Sequence, residues 1–224
     1  MFDHRRYLDF IMKRQRALLR QAADETHNDY GFPLTVRGGV YPAHPDLTGS
    51  PSAIIAQLPV RMEGLDLLDI GTGSGVIAIT AALRGARVMA SDLSMQAVRL
   101  ATLNTQLNGL TSRIDIVQGD LFSGLASRKF DLITANLWFP IRVWGFRADR
   151  RTCLDMQARF FEQVRRWLKP GGRVIMASAD FADNRAIRKG MARHGIKPQQ
   201  TILTLTHDSG RLKINWRSYS FTAG

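Results

Sequence analysis

The chain has 224 residues, 45% of them hydrophobic, which suffices for one substantial core with a small appendage and is too little for two large domains. The opening MFDHRRYLDFIMKRQRALLR lacks a secretory-type apolar core and no stretch approaches the roughly 20 apolar residues of a membrane helix, so a soluble, cytoplasmic protein is expected. A lone cysteine, Cys153, excludes an internal disulfide and a cysteine cluster, and no His, Asp or Glu spacing resembles a zinc site, so no metal is expected. The net charge of +12 is unevenly spread: residues 141–224 carry seventeen basic and six acidic groups, against six and five in residues 1–30 and eight and eight in residues 31–140. Such an excess attracts polyanions, RNA or an acidic protein surface; an arginine-rich solvated surface accounts for it equally, since Arg outnumbers Lys 25 to 6.

Residues 3–23 place Leu8, Ile11, Met12, Leu19 and Ala22 on one stripe and most arginines elsewhere, which predicts an amphipathic helix within an N-terminal segment 1–30. Residues 31–60 are dense in turn formers (GFP, RGG, YPAHPD, GSP) and read as a loop with short extended pieces that wraps the domain beginning near residue 61. From Leu65 strands and helices alternate. The run LDLLDI ends at a glycine cluster, a helix carries Val76, Ile77, Ile79 and Leu83 on its inner side, and RVMASD is the second strand. Ser94 caps a helix with Ala97, Leu100, Ala101 and Leu107 on one face, ended by Asn108-Gly109. IDIVQGD and FDLITAN are the third and fourth strands. A helix with Leu154, Phe161, Val164 and Leu168 runs into Lys169-Pro170-Gly171-Gly172, after which RVIMASA is the fifth strand. A helix over 183–194, capped by Asp183 and closed by Gly195, precedes a hairpin of TILTLTH and LKINWRSYSF around Asp208-Ser209-Gly210. Right-handed strand, helix, strand units make this an α/β protein: a mostly parallel sheet with helices on both faces and a C-terminal antiparallel hairpin.

The strand-end sequence Asp69-Ile70-Gly71-Thr72-Gly73-Ser74-Gly75 lies where open parallel sheets bind ligands, and its glycines let the backbone approach one closely. A glycine loop alone also serves tight helix-to-strand contacts. Its Gly-x-Gly-x-Gly spacing differs from the Gly-x-Gly-x-x-Gly of dinucleotide sites. Asp92, seventeen residues after Gly75, ends the second strand, placed to accept both hydroxyls of a ribose; Asp120 ends the third strand and Asn136 the fourth. Four polar groups at successive strand ends point to one crevice.

Asp69, GTGSG, Asp92, Asp120 and the Lys-Pro-Gly-Gly turn together resemble a class I S-adenosylmethionine-dependent methyltransferase, with a Rossmann-like seven-stranded sheet, over Gly39 to the C-terminus. The resemblance implies S-adenosyl-L-methionine as cofactor. It implies that Asp69, Gly71, Thr72, Gly73 and Gly75 frame the methionine part, that Asp92 with Leu93 holds the ribose, and that Asp120 with Leu121 meets the adenine. DIGTGSGVIAI, DLSMQAVRLATLNTQLNG and VQGDLFSGLASRKFDLITAN are most similar to the methyltransferases that modify a glutamine side chain in release factors, whose Pro-Asp-Thr-Glu segment Pro45-Asp46 resembles. Relatives that methylate exocyclic amino groups of RNA bases share much of the pattern.

In those families the fourth strand ends in Asn-Pro-Pro-aromatic; this chain has Asn136-Leu137-Trp138-Phe139. The resemblance implies that Asn136, bordering cofactor and acceptor alike, and the Leu137 carbonyl accept hydrogen bonds from the acceptor N–H groups, with Phe139 at the aromatic position; the absent prolines leave the loop less pre-organised. The expected reaction is methylation of a nitrogen on a protein side chain or small molecule, with an RNA base nitrogen as the alternative and a catalytically inactive cofactor-binding module as another. The release-factor enzymes carry an N-terminal helical bundle where this chain has about one long helix, so a release factor is not a safe substrate. Trp138 and Trp144, interleaved with Arg147 and Arg150 in an aromatic and basic connection, are candidate substrate contacts, although Trp138 and Phe139 individually are residues that more often pack against the sheet. Cys153 reads as a small buried residue near the next helix start, and Asp131 as structural.

Overall fold

The computed structural model describes residues 24–45, 47–140, 147–207 and 212–222 together with Asp9 and Lys13; the side chains of 147–150 and 212 are outside the description. Apart from Asp9 and Lys13, which are helical, the helix expected over 3–23 lies outside the described residues, as do Asp46 and Trp144.

From residue 24 onward, two short antiparallel strands, β1 (Glu25–His27) and β2 (Leu34–Val36), are followed by helix α1 (Ser50–Ile55). Then come β3 (Asp66–Ile70), α2 (Val76–Leu83), β4 (Arg87–Asp92), α3 (Met95–Leu107), β5 (Ile114–Gln118) and β6 (Phe130–Ala135). Helix α4 (Arg147–Gln163) passes through a 3₁₀ turn (Val164–Trp167) into β7 (Leu168–Ala179), and α5 (Asn184–Arg193), β8 (Gln199–His207) and β9 (Leu212–Thr222) complete the chain. Seven strands form one sheet in the order β5-β4-β3-β6-β7-β9-β8, in which β9 alone runs against the rest.

The period-2 alternation of the strands divides the core between two faces. Leu67, Leu132 and Ile175 join the cluster containing Val76 and Ile79 of α2, while Leu68, Ile133 and Val174 join Phe160 and Phe161 of α4 and Ile187 and Met191 of α5. Both apolar surfaces of the sheet are therefore covered by helices. Among the described residues no helix is long and apolar enough to cross a membrane.

Several local expectations change in three dimensions. The stretch 31–60 has the expected extended piece, β2, but also the helix α1, whose Pro51 sits in its first turn, where a missing N–H costs nothing. Gly49 precedes it because a Cβ there would lie 2.4 Å from the Trp216 ring, an approach that no other residue permits. Strand β7 begins at Leu168, ahead of the Lys-Pro-Gly-Gly turn, which is accommodated as an irregularity between the pairs Phe130–Leu168 and Leu132–Arg173. Lys169 is pinned there by Asp66 and Asp131, at 2.7 and 2.8 Å, so both carboxylates brace the strand ends remote from the glycine loop. Leu83 and Leu107, read as inward-facing, are exposed, and the inner face of α3 is completed by Asn104.

Asn104, fully buried, attaches the preceding segment to the sheet. Its Oδ1 accepts from Thr35 N (2.8 Å), and its Nδ2 donates to Thr35 O (2.9 Å) and to Ser74 O (2.8 Å) in the glycine loop. Asn104→Leu leaves three buried backbone groups unpaired and is expected to cost about 3 kcal/mol in urea unfolding. A loss below about 1 kcal/mol would show that apolar contacts alone hold the segment.

Candidate functional site

The strand order reverses between β3 and β6, each of which continues to its own side of the sheet, and a crevice forms beyond the carboxyl ends of strands at such a reversal. The glycine loop leaves β3 here. Gly71 N and Thr72 N donate to Ser91 O at 2.8 and 3.0 Å, tying the loop to β4, and Gly75, with φ 85°, turns the chain into α2. Gly73 is the residue that opens the loop to a ligand: at φ 58°, a Cβ there would have no protein atom within 4 Å. The other side is closed, since a Cβ on Gly71 would come within 3.0 Å of Leu137 Cδ2.

Asp69 lies beneath this loop with no exposure, its Oδ2 accepting from Thr72 Oγ1 and its Oδ1 from Thr134 Oγ1, both at 2.7 Å. Burial pushes its carboxyl up to about 6, against the two hydroxyl hydrogen bonds, with the nearby Asp92 charge adding to the rise. The folded chain thus binds this proton more tightly than the unfolded chain, and the stability it confers below the ordinary carboxylate value is lost as pH rises toward 6. Asp69→Asn is expected to remove that loss, so that the variant gains on the wild type by at most about 2–3 kcal/mol between pH 4 and 6.5 in denaturant titrations. A constant difference across that range would mean that Asp69 does not titrate there.

Asp92 clasps the loop from β4. Its Oδ2 accepts from Gly73 N and its Oδ1 from Ser94 N, each at 2.9 Å, while Ser94 Oγ caps α3 by accepting from Ala97 N. Leu93 beside it is 68% exposed, an apolar side chain presented at the crevice mouth. Past β5, Asp120 is held by Arg159 of α4 through both guanidinium nitrogens, at 2.6 and 3.2 Å. Leu121 is buried with φ 55°, a left-handed conformation costing a non-glycine residue about 1–2 kcal/mol, and its carbonyl accepts from the buried Ser91 hydroxyl at 3.2 Å. The crevice therefore holds this turn in a conformation it would not adopt in isolation.

At the end of β6 the four residues separate. Asn136 is partly buried, and its amide has no hydrogen-bond partner among the described residues. Leu137 is buried against the glycine loop. Trp138, a candidate substrate contact of a residue type that more often packs, is 70% exposed, its ring edge-on to Tyr41 at 6.3 Å, while its carbonyl accepts from the buried Gln157 Nε2 at 3.1 Å. Phe139 is the packing residue, wedged between two apolar clusters against Phe181 at 5.8 Å. Cys153 is buried on α4, and Arg147 and Arg150 lie in the first turns of that helix.

Thr134, Ser91, Arg159, Gln157 and Tyr41 were not singled out in the sequence. Asn104 alone had a visible signal, a polar residue on the apolar stripe of its helix. A nucleoside carrying an amino-acid tail asks for an unobstructed backbone cradle, an acceptor for ribose hydroxyls and an apolar edge for the base. Gly73, Asp92 and Leu93 with Leu121 have these characters, so the residues fit S-adenosylmethionine.

The profile of the methyltransferase small domain matches residues 34–196. A ribosomal protein L11 methyltransferase of Desulfitobacterium hafniense is 30% identical over 156 residues, covering 69% of this chain and 44% of that protein. A release factor glutamine methyltransferase of Chlorobaculum tepidum is 35% identical over 131 residues, covering 55% and 42%. The chain thus spans less than half the length of these two curated relatives. In fold, it resembles the ribosomal protein L11 methylase of Lactobacillus delbrueckii subsp. bulgaricus, with a TM-score of 0.60 at 24% identity over 84% of this chain and 83% of that one. With the profile matched over most of its length, the chain belongs to the methyltransferase small domain family.

Proposed function

We propose that this chain is an S-adenosylmethionine-dependent methyltransferase acting in the cytoplasm, and that its acceptor is a nitrogen of a protein side chain or small molecule. The observation that carries the reading is Asn136: a carboxamide without a hydrogen-bond partner among the described residues, at the strand end that faces the sheet's reversal point, flanked by the glycine loop through Leu137. The cofactor supplies an electrophilic methyl group on a sulfonium. Gly71, Thr72, Gly73 and Gly75 cradle its amino-acid tail, with Asp69 fixing the loop from below. Asp92 accepts from the ribose hydroxyls, Leu93 and Leu121 flank the base, and Asp120 accepts from its amino group. Asn136 Oδ1 and the Leu137 carbonyl accept from the acceptor N–H groups and so orient the nitrogen lone pair, a contribution of positioning. The exposed Trp138, edge-on to the half-buried Tyr41, is the aromatic surface against which the acceptor rests, with Trp144, Arg147 and Arg150 proposed from the sequence alone as further substrate contacts.

Support for a protein acceptor comes from the two curated relatives, both named for protein substrates. A base nitrogen of RNA is the second reading, favoured by the cationic C-terminal third. Incubation with methyl-labelled S-adenosylmethionine and extract of cells lacking the protein, followed by separation of RNA, protein and small molecules, tests the proposal. Label in protein or small molecules supports it, label in RNA replaces the acceptor class, and cofactor binding without label in any fraction refutes transfer.

A further inference from the structure

Remote from the crevice, a cleft of about 560 Å³ opens before the start of β6, lined by Ser127, Arg128, Lys129, Gln163, Arg166 and Trp167. Three of these six residues are cations and none is acidic. Arg128 stacks over Phe130, with its guanidinium carbon 4.9 Å from the ring centroid, and its Nε and Nη2 are buried without an acceptor. Arg165, next to Arg166, likewise has a buried Nε without an acceptor, while its Nη2 donates to Gly195 O at 2.9 Å just past the end of α5. Buried guanidinium donors without acceptors are costly, and their uncompensated positive charge favours an anion at the cleft surface.

Helix α5 continues the same character. Its sequence NRAIRKGMAR contains no acidic residue, its apolar side is spent on Ile187 and Met191, and its solvent side carries Arg185, Arg188, Lys189 and Arg193, all exposed. Arg185, Lys189 and Arg193 recur every four residues and form one stripe along a helix about 15 Å long. Among the described residues near this helix, Asp183 caps it, Asp180 pairs with Arg217 and Asp131 is held by Lys169, while Glu162 of α4 is an exposed carboxylate.

We propose that α5 and the Arg128–Arg166 cleft form one docking face for the phosphate backbone of RNA. An isolated phosphate would occupy the cleft alone. A polynucleotide places successive phosphates along the helix stripe and one in the cleft, and cations stand both on that stripe and in the cleft lining. The face binds backbone, not bases, and is independent of which nitrogen accepts the methyl group.

The test is fluorescence anisotropy of the full chain with a labelled 20-nucleotide single-stranded RNA between 50 and 300 mM KCl. The triple variant Arg185→Glu, Lys189→Glu, Arg193→Glu is expected to weaken binding at least tenfold and to lower the slope of log affinity against log salt by about 2, three lost phosphate contacts at roughly 0.7 each. Arg128→Ala with Arg166→Ala is expected to weaken it about fivefold. The same three reversals at Arg61, Arg99 and Arg113 change net charge equally and are expected to have less than about a threefold effect. Unchanged melting temperatures show that the variants fold. Absence of RNA binding at 50 mM salt, equal weakening by the control reversals, binding of inorganic phosphate without RNA, or polyglutamate of equal length binding as tightly as RNA would each overturn the proposal.

Discussion

Asp92→Ala is expected to weaken S-adenosylmethionine binding by about 100- to 1000-fold. Two losses add in this variant. An ionised carboxylate accepting a hydrogen bond in a shielded site contributes about 1.5–3 kcal/mol per bond, and two ribose hydroxyls are lost as partners. Asp92 also holds Gly73 N and Ser94 N at 2.9 Å, so its removal frees the open turn of the glycine loop and the start of α3 together. Asp92→Asn keeps one acceptor oxygen and is expected to fall between the two. Isothermal titration with S-adenosylhomocysteine reads the effect directly, and affinity within threefold of the wild type in Asp92→Ala would remove Asp92 from the cofactor site.

The second large effect is expected in turnover. Asn136→Ala is expected to lower methyl transfer by about 100-fold or more while leaving cofactor affinity within about threefold. The division follows from position: Asp92 at the end of β4 clasps the glycine loop proposed to cradle the cofactor, whereas Asn136 follows β6, on the other side of β3, with no hydrogen-bond partner for its amide among the described residues. Single-turnover transfer from labelled S-adenosylmethionine, measured with cofactor saturating, separates the two contributions. Equal loss of binding in both variants would mean that Asn136 supports the cofactor site and does not orient the acceptor. The missing prolines bear on the same measurement, because here the strand-end loop is steadied by Leu137 against Gly71 and by Gln157 on the Trp138 carbonyl.

Asp120 is held by a contact that its sequence position does not reveal. Arg159, thirty-nine residues later, engages both carboxylate oxygens and so limits the rotamers of a side chain that is 44% exposed. An exposed pair of this kind contributes little to stability, and its consequence is the orientation of the Asp120 carboxylate.

Much of the fold was legible from local patterns. Apolar runs of strand length alternating with 3.6-period stripes, Ser94 and Asp183 as caps, Asn108-Gly109 and Gly195 as stops, and two alternating segments about a turn follow from backbone preferences within a few residues. The strand-end positions of Asp69, Asp92, Asp120 and Asn136 followed in turn, because a strand's end is a local property and a parallel sheet gathers such ends on one side. Tertiary packing decided what these side chains do. Asp69 and Asp92 look alike in sequence, yet Asp69 is fully buried on the Thr72 and Thr134 hydroxyls while Asp92, at the carboxyl end of β4, is only partly buried and takes Gly73 N and Ser94 N. Trp138 and Phe139 are neighbours of similar type, and the space between Phe181 and the sheet takes only the second. Leu83 and Leu107 fit a stripe by period but fall where the sheet no longer covers their helices, while Asn104 is inward because Thr35 and Ser74 supply its hydrogen bonds. Local sequence determined which elements form and where they end; which neighbours, charges and surfaces meet at those ends depended on contacts between residues far apart in the chain, whose energies no local window contains.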